Sequence, residues 1–255
     1  MSLYLDIVIS TKGHIFSIDN HCLMKQDNKK YMENNISYDL NEHCLISPLD
    51  SESPLFEPKI RLGVLASGNG SNFEYIIKSI QNNQLNAEIS VLIVNNPNCL
   101  AIKKAIRYKI PYVIIDHKLC NSRVEHDKLV IQNLEERSVE LVVMAGWMRI
   151  VGEEIINRFE NQLINIHPSL LPSFKGIDAI QQAIDNGVTI TGCTVHYVQK
   201  EVDSGSIIIQ AAVPLKQYDN KETLKKRIQN MEHIILPLAI SKVAMKLRTS
   251  FKDNK

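Results

Sequence analysis

Between Arg61 and Ala145 the chain alternates short apolar runs with stretches whose apolar residues recur every three to four positions. No other feature restricts the fold as much. A β-α-β-α order forces parallel strands joined by helices that cover both faces of one sheet. Leu62-Gly63-Val64-Leu65-Ala66 reads as a buried strand, and Phe73, Ile76, Ile77 and Ile80 follow at helical spacing. Ile89–Val94, Tyr112–Ile115 and Leu141–Ala145 read as further strands, with helices over Leu100–Tyr108 and Ser122–Arg137. Ser122 begins its helix as an N-cap, with Glu125 three residues on.

The second half follows a different pattern. Leu163, Ile164 and Ile166 form an apolar run that ends at His167-Pro168, and Ile177–Asn186 is a predicted helix closed by Gly187. Ile190–Gln199 alternates like a half-buried strand, and Ile207–Val213 is expected to pair antiparallel with it. The last helix is predicted from its N-cap Asn220 to beyond Lys246, with Pro237 kinking or breaking it. The expected fold is α/β: a mostly parallel, doubly wound sheet flanked by helices, with an antiparallel strand pair toward the C-terminal half.

Residues 1–58 lack lasting periodicity and end in Ser51-Glu52-Ser53-Pro54-Leu55-Phe56-Glu57-Pro58, a linker composition. They read as a poorly ordered N-terminal extension, with a catalytic domain over 59–255. A net charge of +1 over 255 residues argues against a general nucleic-acid or membrane-surface binder. No run is long and apolar enough to span a bilayer, and the first residues lack the basic and apolar regions of a signal peptide. Five cysteines without paired spacing read as thiols, which points to the cytoplasm. His21-Cys22 and His43-Cys44 lack structural-zinc spacing, and no other cluster has metal-ligand spacing, so the expected chemistry is metal-free.

Three stretches carry the candidate chemistry. Asn165 and His167 lie two apart at the end of an apolar run, so on a strand they share a face, and Pro168 and Pro172 force the chain to turn beyond them. Strand ends that open into loops are where open α/β sheets keep their sites. Asp203, in the predicted turn Val202–Ser206, can orient an imidazole, while Asn165 is a neutral donor suited to a developing oxyanion. Together they fit acyl-type transfer without a covalent enzyme intermediate. Ser67-Gly68-Asn69-Gly70-Ser71-Asn72 joins a strand to a helix and presents backbone N–H groups to an anion such as phosphate. Gly146-Trp147-Met148-Arg149-Ile150 follows another strand; its Trp147 fits either the core or an apolar wall for a flat ligand.

These stretches, with Gly192–Val198, Glu201–Gly205 and Gln229–His233, resemble the phosphoribosylglycinamide formyltransferases, a family within the folate-dependent formyltransferases. The likeness runs from about Ile60 to Leu247. It implies that 10-formyltetrahydrofolate, as cosubstrate, passes its formyl group through a tetrahedral intermediate to the amine of glycinamide ribonucleotide, in de novo purine biosynthesis. Both substrates are small molecules, and no nucleic-acid or membrane partner is expected. By the same resemblance Asn165, His167 and Asp203 are catalytic, and Gly70, Ser71, Asn72, Gln229 and Glu232 bind the ribonucleotide. Arg123, Met148, Arg149, Ile150, Val151, Asn165 and the stretch Gln199, Lys200, Glu201, Val202 and Asp203 line the folate site. The chain departs from the family pattern at Lys175, where many members have Pro, and at Asp178, where many have His. Formyltetrahydrofolate deformylase, which delivers water with a similar Asn/His/Asp set, is the alternative. A silent nucleotide- or folate-binding module is a third reading.

Overall fold

The computed structural model describes residues 8–9, 15–16, 45–48 and 56–250. The reading of residues 1–58 as a poorly ordered extension, and that of His21-Cys22, fall almost wholly outside these. The chain divides into two compact units, Met1–Glu42 and His43–Lys255. In the first, β1 (Val8–Ile9) pairs antiparallel with β2 (Ile15–Phe16).

The second unit is built on one eight-stranded sheet. Its strands are β3 (Leu45–Ser47), β4 (Ile60–Ala66), β5 (Ala87–Val94), β6 (Tyr112–Ile114), β7 (Leu141–Met144), β8 (Leu163–His167), β9 (Ile190–Tyr197) and β10 (Ile207–Pro214). The spatial order is β3-β10-β9-β8-β7-β4-β5-β6. The run from β8 to β6 is parallel, while β9, β10 and β3 add antiparallel pairings. This is the predicted arrangement, with β3 added from ahead of the composition break at residue 58. From β4 the chain winds outward to β5 and β6, then returns to place β7 on the other side of β4. Strand order therefore reverses between β4 and β7, and such a reversal opens a crevice at the carboxyl ends of the strands.

Six helices cover this sheet among the described residues: α1 (Ser71–Gln81), α2 (Leu100–Tyr108), α3 (Arg123–Glu135), α4 (Glu153–Arg158), α5 (Ala179–Asp185) and α6 (Lys221–Ser250). The alternation of strand residues produces two cores. Val64, Val143 and Ile164 point to one face, against Phe73 and Ile76 of α1, Ala101 of α2 and Ile228 and Ile235 of α6. Leu65, Val142 and Leu163 point to the other, against Val130 and Leu134 of α3 and Ile155 of α4. Helix α4 was not anticipated; at six residues it is too short to show a periodic signal.

Pro237 does not break the last helix, which runs unbroken from Lys221 to Ser250. Proline there removes one N–H, the partner of the carbonyl four residues back. Ile235, Leu236, Ala239 and Ile240 around it are all buried, and tertiary packing of this kind outweighs the loss of one bond. The far end of α6 is fastened to the amino ends of β4 and β7. Arg248 Nη1 and Nη2 donate to the Glu140 carboxylate at 2.8 and 3.1 Å, while Nε and Nη2 reach the carbonyls of Pro58 and Lys59. Burial of Glu140 opposes its ionisation, but Arg248 and Arg61 outweigh burial and hold its carboxyl below the usual range.

Arg248→Ala should therefore lower the unfolding free energy by about 1–3 kcal/mol near neutral pH, read from urea denaturation. Glu140 has a lowered folded-state pKa, so this contribution is present above its unfolded value and fades as pH falls through the folded one. A difference that persists undiminished in acid would exclude the carboxylate as its source.

Candidate active site

Strand β8 ends at the reversal edge with Asn165 and His167 on one face. Antiparallel pairing puts Asn165 opposite His196 and His167 opposite Thr194 of β9, so His196 joins the same face. Asp203, in the loop between β9 and β10, adopts φ of 50° and lies over these three side chains. Its Oδ2 is 3.2 Å from His167 Nδ1 and accepts from the Gly176 amide at 2.9 Å. Its Oδ1 lies 3.5 Å from both Asn165 Nδ2 and His196 Nε2. The predicted catalytic set thus comes together around one carboxylate, from segments nearly forty residues apart.

His167 Nε2 lies 2.8 Å from the Phe174 carbonyl, an acceptor only, and Nδ1 faces the Asp203 carboxylate. Both ring nitrogens thus face oxygen acceptors. His196 Nδ1 donates to the Tyr197 carbonyl at 2.8 Å, and its Nε2 lies between Asn165 Nδ2 at 3.2 Å and Asp203 Oδ1 at 3.5 Å. Burial of Asp203 works against its charge. The contacts with His196 and the Gly176 amide, with the positive charge of both imidazoles, outweigh it and lower its pKa.

Sequence reasoning missed the residues behind this set. His196 read only as part of an alternating strand; its place beside Asn165 depends on cross-strand register, which no local pattern reveals. Thr194 Oγ1 donates to the Ser169 carbonyl at 2.7 Å and accepts from the Leu171 amide at 3.1 Å and from Gln210 Nε2 at 2.9 Å. Gln210 also donates to the Leu171 carbonyl, and Ser169 Oγ to the Ser173 carbonyl. These bonds hold the turn after β8 and bring the Phe174 carbonyl to His167.

The Gly-rich turn follows β4 at the same edge. Gly70 is the N-cap of α1, with φ of 65° and no side-chain cap. The first amides of α1, from Ser71 onward, have no acceptor within the helix. A side chain at Gly70 would set Cβ 2.8 Å from the Ala101 Cβ, so packing on α2 requires glycine whatever the turn binds. Asn72 is buried, donates to Glu232 Oε2 at 2.9 Å and leaves its Oδ1 without a partner. Gln229 lies three residues before Glu232 on α6, on the same side of the helix. Burial raises the Glu232 pKa against the Asn72 bond and the Lys225 charge. Its neighbour His233 stacks on Tyr75 at 3.7 Å, and burial lowers its pKa to about 4.

The loop after β7 turns its residues in opposite directions. Trp147 is 7% exposed and belongs to the core, whereas Met148 and Ile150 are 83% and 59% exposed. Arg149 is half-buried and Val151 buried. Arg123 opens α3 and is exposed. Gln199, Lys200, Glu201 and Val202 are exposed in the loop that leads to Asp203, and Lys200 pairs with Glu153 at 2.5 Å. Asp178, at the start of α5, pairs with Lys221. Among the described residues no group of three or more His, Cys, Asp or Glu could hold a metal ion, and no helix is long and apolar enough to cross a membrane.

Residues 60–240 match the formyl transferase family. The chain is 45% identical over 186 residues to the trifunctional purine biosynthetic protein adenosine-3 of Homo sapiens, and 46% identical over 186 residues to that of Gallus gallus. Each match takes in 73% of this chain and 18% of the relative, so the chain spans under a fifth of those proteins. The crystal structure of phosphoribosylglycinamide formyltransferase from Bacillus halodurans is similar at a TM-score of 0.70 and 40% identity, over 72% of this chain and 94% of that one. That of the Anaplasma phagocytophilum protein of the same name gives 0.67 and 41%, over 74% and 89%.

Glu232→Gln keeps the shape and the acceptor for Asn72 but removes a charge that burial disfavours. A raised folded-state pKa means that ionisation costs stability as pH rises through it. The variant should melt above the unaltered chain, by a margin that widens as pH rises above the ordinary carboxylate range. Melting curves that converge as pH rises would contradict this.

Proposed function

We infer what this chain does from the family to which it belongs, the formyl transferases, read together with the site on β8 and β9. It transfers the formyl group of 10-formyltetrahydrofolate to the amine of glycinamide ribonucleotide, a step of de novo purine biosynthesis. Relatives named for purine biosynthesis and solved structures named as phosphoribosylglycinamide formyltransferases support the reading. The observation that carries it is the Asp203 carboxylate, 3.2 Å from His167 Nδ1 and facing the Asn165 amide.

The ribonucleotide amine attacks the formyl carbon, a tetrahedral intermediate forms, and the folate nitrogen leaves with the electron pair of its bond to that carbon. The amine gives up one proton and the folate nitrogen takes one up. Asn165 Nδ2 and His167 Nε2 are the donors for the oxyanion. The formyl oxygen must displace the Phe174 carbonyl to reach Nε2. Asp203 holds His167 in orientation, so the imidazole can relay the proton.

Gly70, Ser71 and Asn72 cradle the phosphate at the uncapped start of α1, and Gln229 and Glu232 hold the rest of the ribonucleotide. Met148, Arg149, Ile150 and Val151, the loop from Gln199 to Asp203 and Arg123 line the folate site. The bare Met148 and Ile150 side chains suit a flat aromatic ligand. The catalytic unit is residues 59–255, with Leu45–Ser47 completing its sheet. Cys99, Cys120 and Cys193 are thiols, in keeping with a cytoplasmic enzyme.

Formyl transfer measured with and without glycinamide ribonucleotide tests this. Acceptor-dependent turnover is expected; release of formate without the acceptor would make the chain a deformylase, and binding without turnover a silent module. His167→Asn should fold normally and lose at least about a hundredfold in kcat. Gly68→Ala probes the phosphate turn better than any change at Gly70, because a Cβ at Gly68 meets nothing within 4 Å. It should leave the melting temperature unchanged and raise KM for the ribonucleotide but not for the folate. Equal KM values in variant and unaltered chain would move the phosphate elsewhere.

A further inference from the structure

The inner face of α3 carries His126 and Asp127 beside Val130 and Leu134. Both polar residues are buried, at 1% and 4% exposure, and neither belongs to the catalytic set. We propose that Asp127 is the positioning residue of the folate-lining loop 146–152; this rests on the assignment of that loop to the folate site.

The loop runs from β7 to α4 and is fastened at both ends. At its front, Met148 N donates to Ser67 Oγ at 2.9 Å and Ser67 N donates to the Gly146 carbonyl at 3.0 Å. At its rear, Gly152 N donates to Asp127 Oδ2 at 2.7 Å. A Cβ at Gly152 would lie 2.6 Å from that oxygen, so this close approach requires glycine. The other carboxylate oxygen lies 3.3 Å from His126 Nδ1. His126 in turn packs its ring 5.9 Å from that of Trp147 and leaves Nε2 without a partner.

Stability alone does not account for this arrangement. The Gly152 amide stands at the start of a short helix, where water could serve it, whereas a buried carboxylate and an unsatisfied imidazole nitrogen both cost free energy. What the buried pair achieves is geometric. With Gly152 tied to α3 and Met148 to Ser67, the four residues 148–151 have a fixed span. Met148 and Ile150 stay out in solvent instead of folding onto the surface, which their apolar side chains would otherwise favour. Asp127 thus presents the apolar wall without touching the ligand, as outer residues hold inner ones in other binding sites.

Trp147, the chain's single tryptophan, lies in this loop, so its fluorescence reports binding there. The test is titration of the full chain with 10-formyltetrahydrofolate, alongside steady-state kinetics. Asp127→Ala removes the acceptor and should raise the folate Kd and KM about tenfold, leaving KM for the ribonucleotide and kcat at saturating folate within about twofold. Asp127→Asn keeps an oxygen for Gly152 and should recover most of the folate affinity. Should Asp127→Ala fold poorly, Gly152→Ala pushes the anchor apart with Asp127 in place, and the same selective loss is expected. Folate affinity unchanged in both alanine variants overturns the positioning role alone. Parallel weakening of both substrates in step with a lowered melting temperature overturns it too, as a merely structural contact. If the unaltered chain gives no folate response at Trp147, the folate-site reading fails and the role of Asp127 fails with it.

Discussion

A carboxylate laid over a sheet face must be surrounded by hydrogen atoms, and Asp203 determines much of what surrounds it. Two imidazoles, an amide side chain and one backbone N–H converge on its two oxygens. They arrive from three segments. Strand β8 brings Asn165 and His167, β9 brings His196, and the turn after β8 brings Gly176. Removing water from Asp203 would disfavour its charge if any of these failed to arrive, and the lowered pKa shows that together they outweigh burial. The antiparallel junction between β8 and β9 is what allows this. It sets Asn165 directly opposite His196, while a parallel neighbour would need a long crossover and could not place the Asp203 loop so close to β8.

Support for the site comes from behind it. Gln210, Thr194 and Ser169 join β10, β9 and the turn after β8 in one chain of hydrogen bonds. Ser67 and Asp127 do the same for the loop after β7. In both cases loop backbone near the crevice is held by side chains of neighbouring regular elements, Thr194 on β9, Gln210 on β10 and Asp127 on α3. Loop backbone is thereby given the precision of the sheet.

The parallel half of the fold was legible because its signal is local: apolar runs and helical spacing survive in a window of a dozen residues. Asn165 and His167 were legible for the same reason, being two apart on one strand. What depended on distant partners was not. His196 gains its role only from register with β8, and Thr194 and Gln210 look like ordinary strand residues until the turn after β8 is seen against them. Trp147 left two readings open, and the structure places Trp147 in the core and leaves Met148 and Ile150 exposed. Pro237 was expected to disturb a helix that packing holds intact, since propensity counts the missing N–H and not the apolar surface on either side. Gly70 was read only as part of a phosphate-binding turn. Its close approach to Ala101, a second reason for glycine, could be seen only with α2 in place.

The thin outer strand at Leu45–Ser47 alters where this protein can be cut. The family match runs from residue 60 to 240, yet the sheet begins at Leu45 and its fastening ends at Arg248. Strand β3 covers the edge of β10 at Gln210, the residue whose amide steadies the turn after β8. A fragment trimmed to the family limits would keep every residue of the reacting set but bare that edge to other chains. Homology and mechanical integrity therefore have different borders here. A fusion partner or affinity tag belongs ahead of His43, not at the point where likeness to other proteins begins.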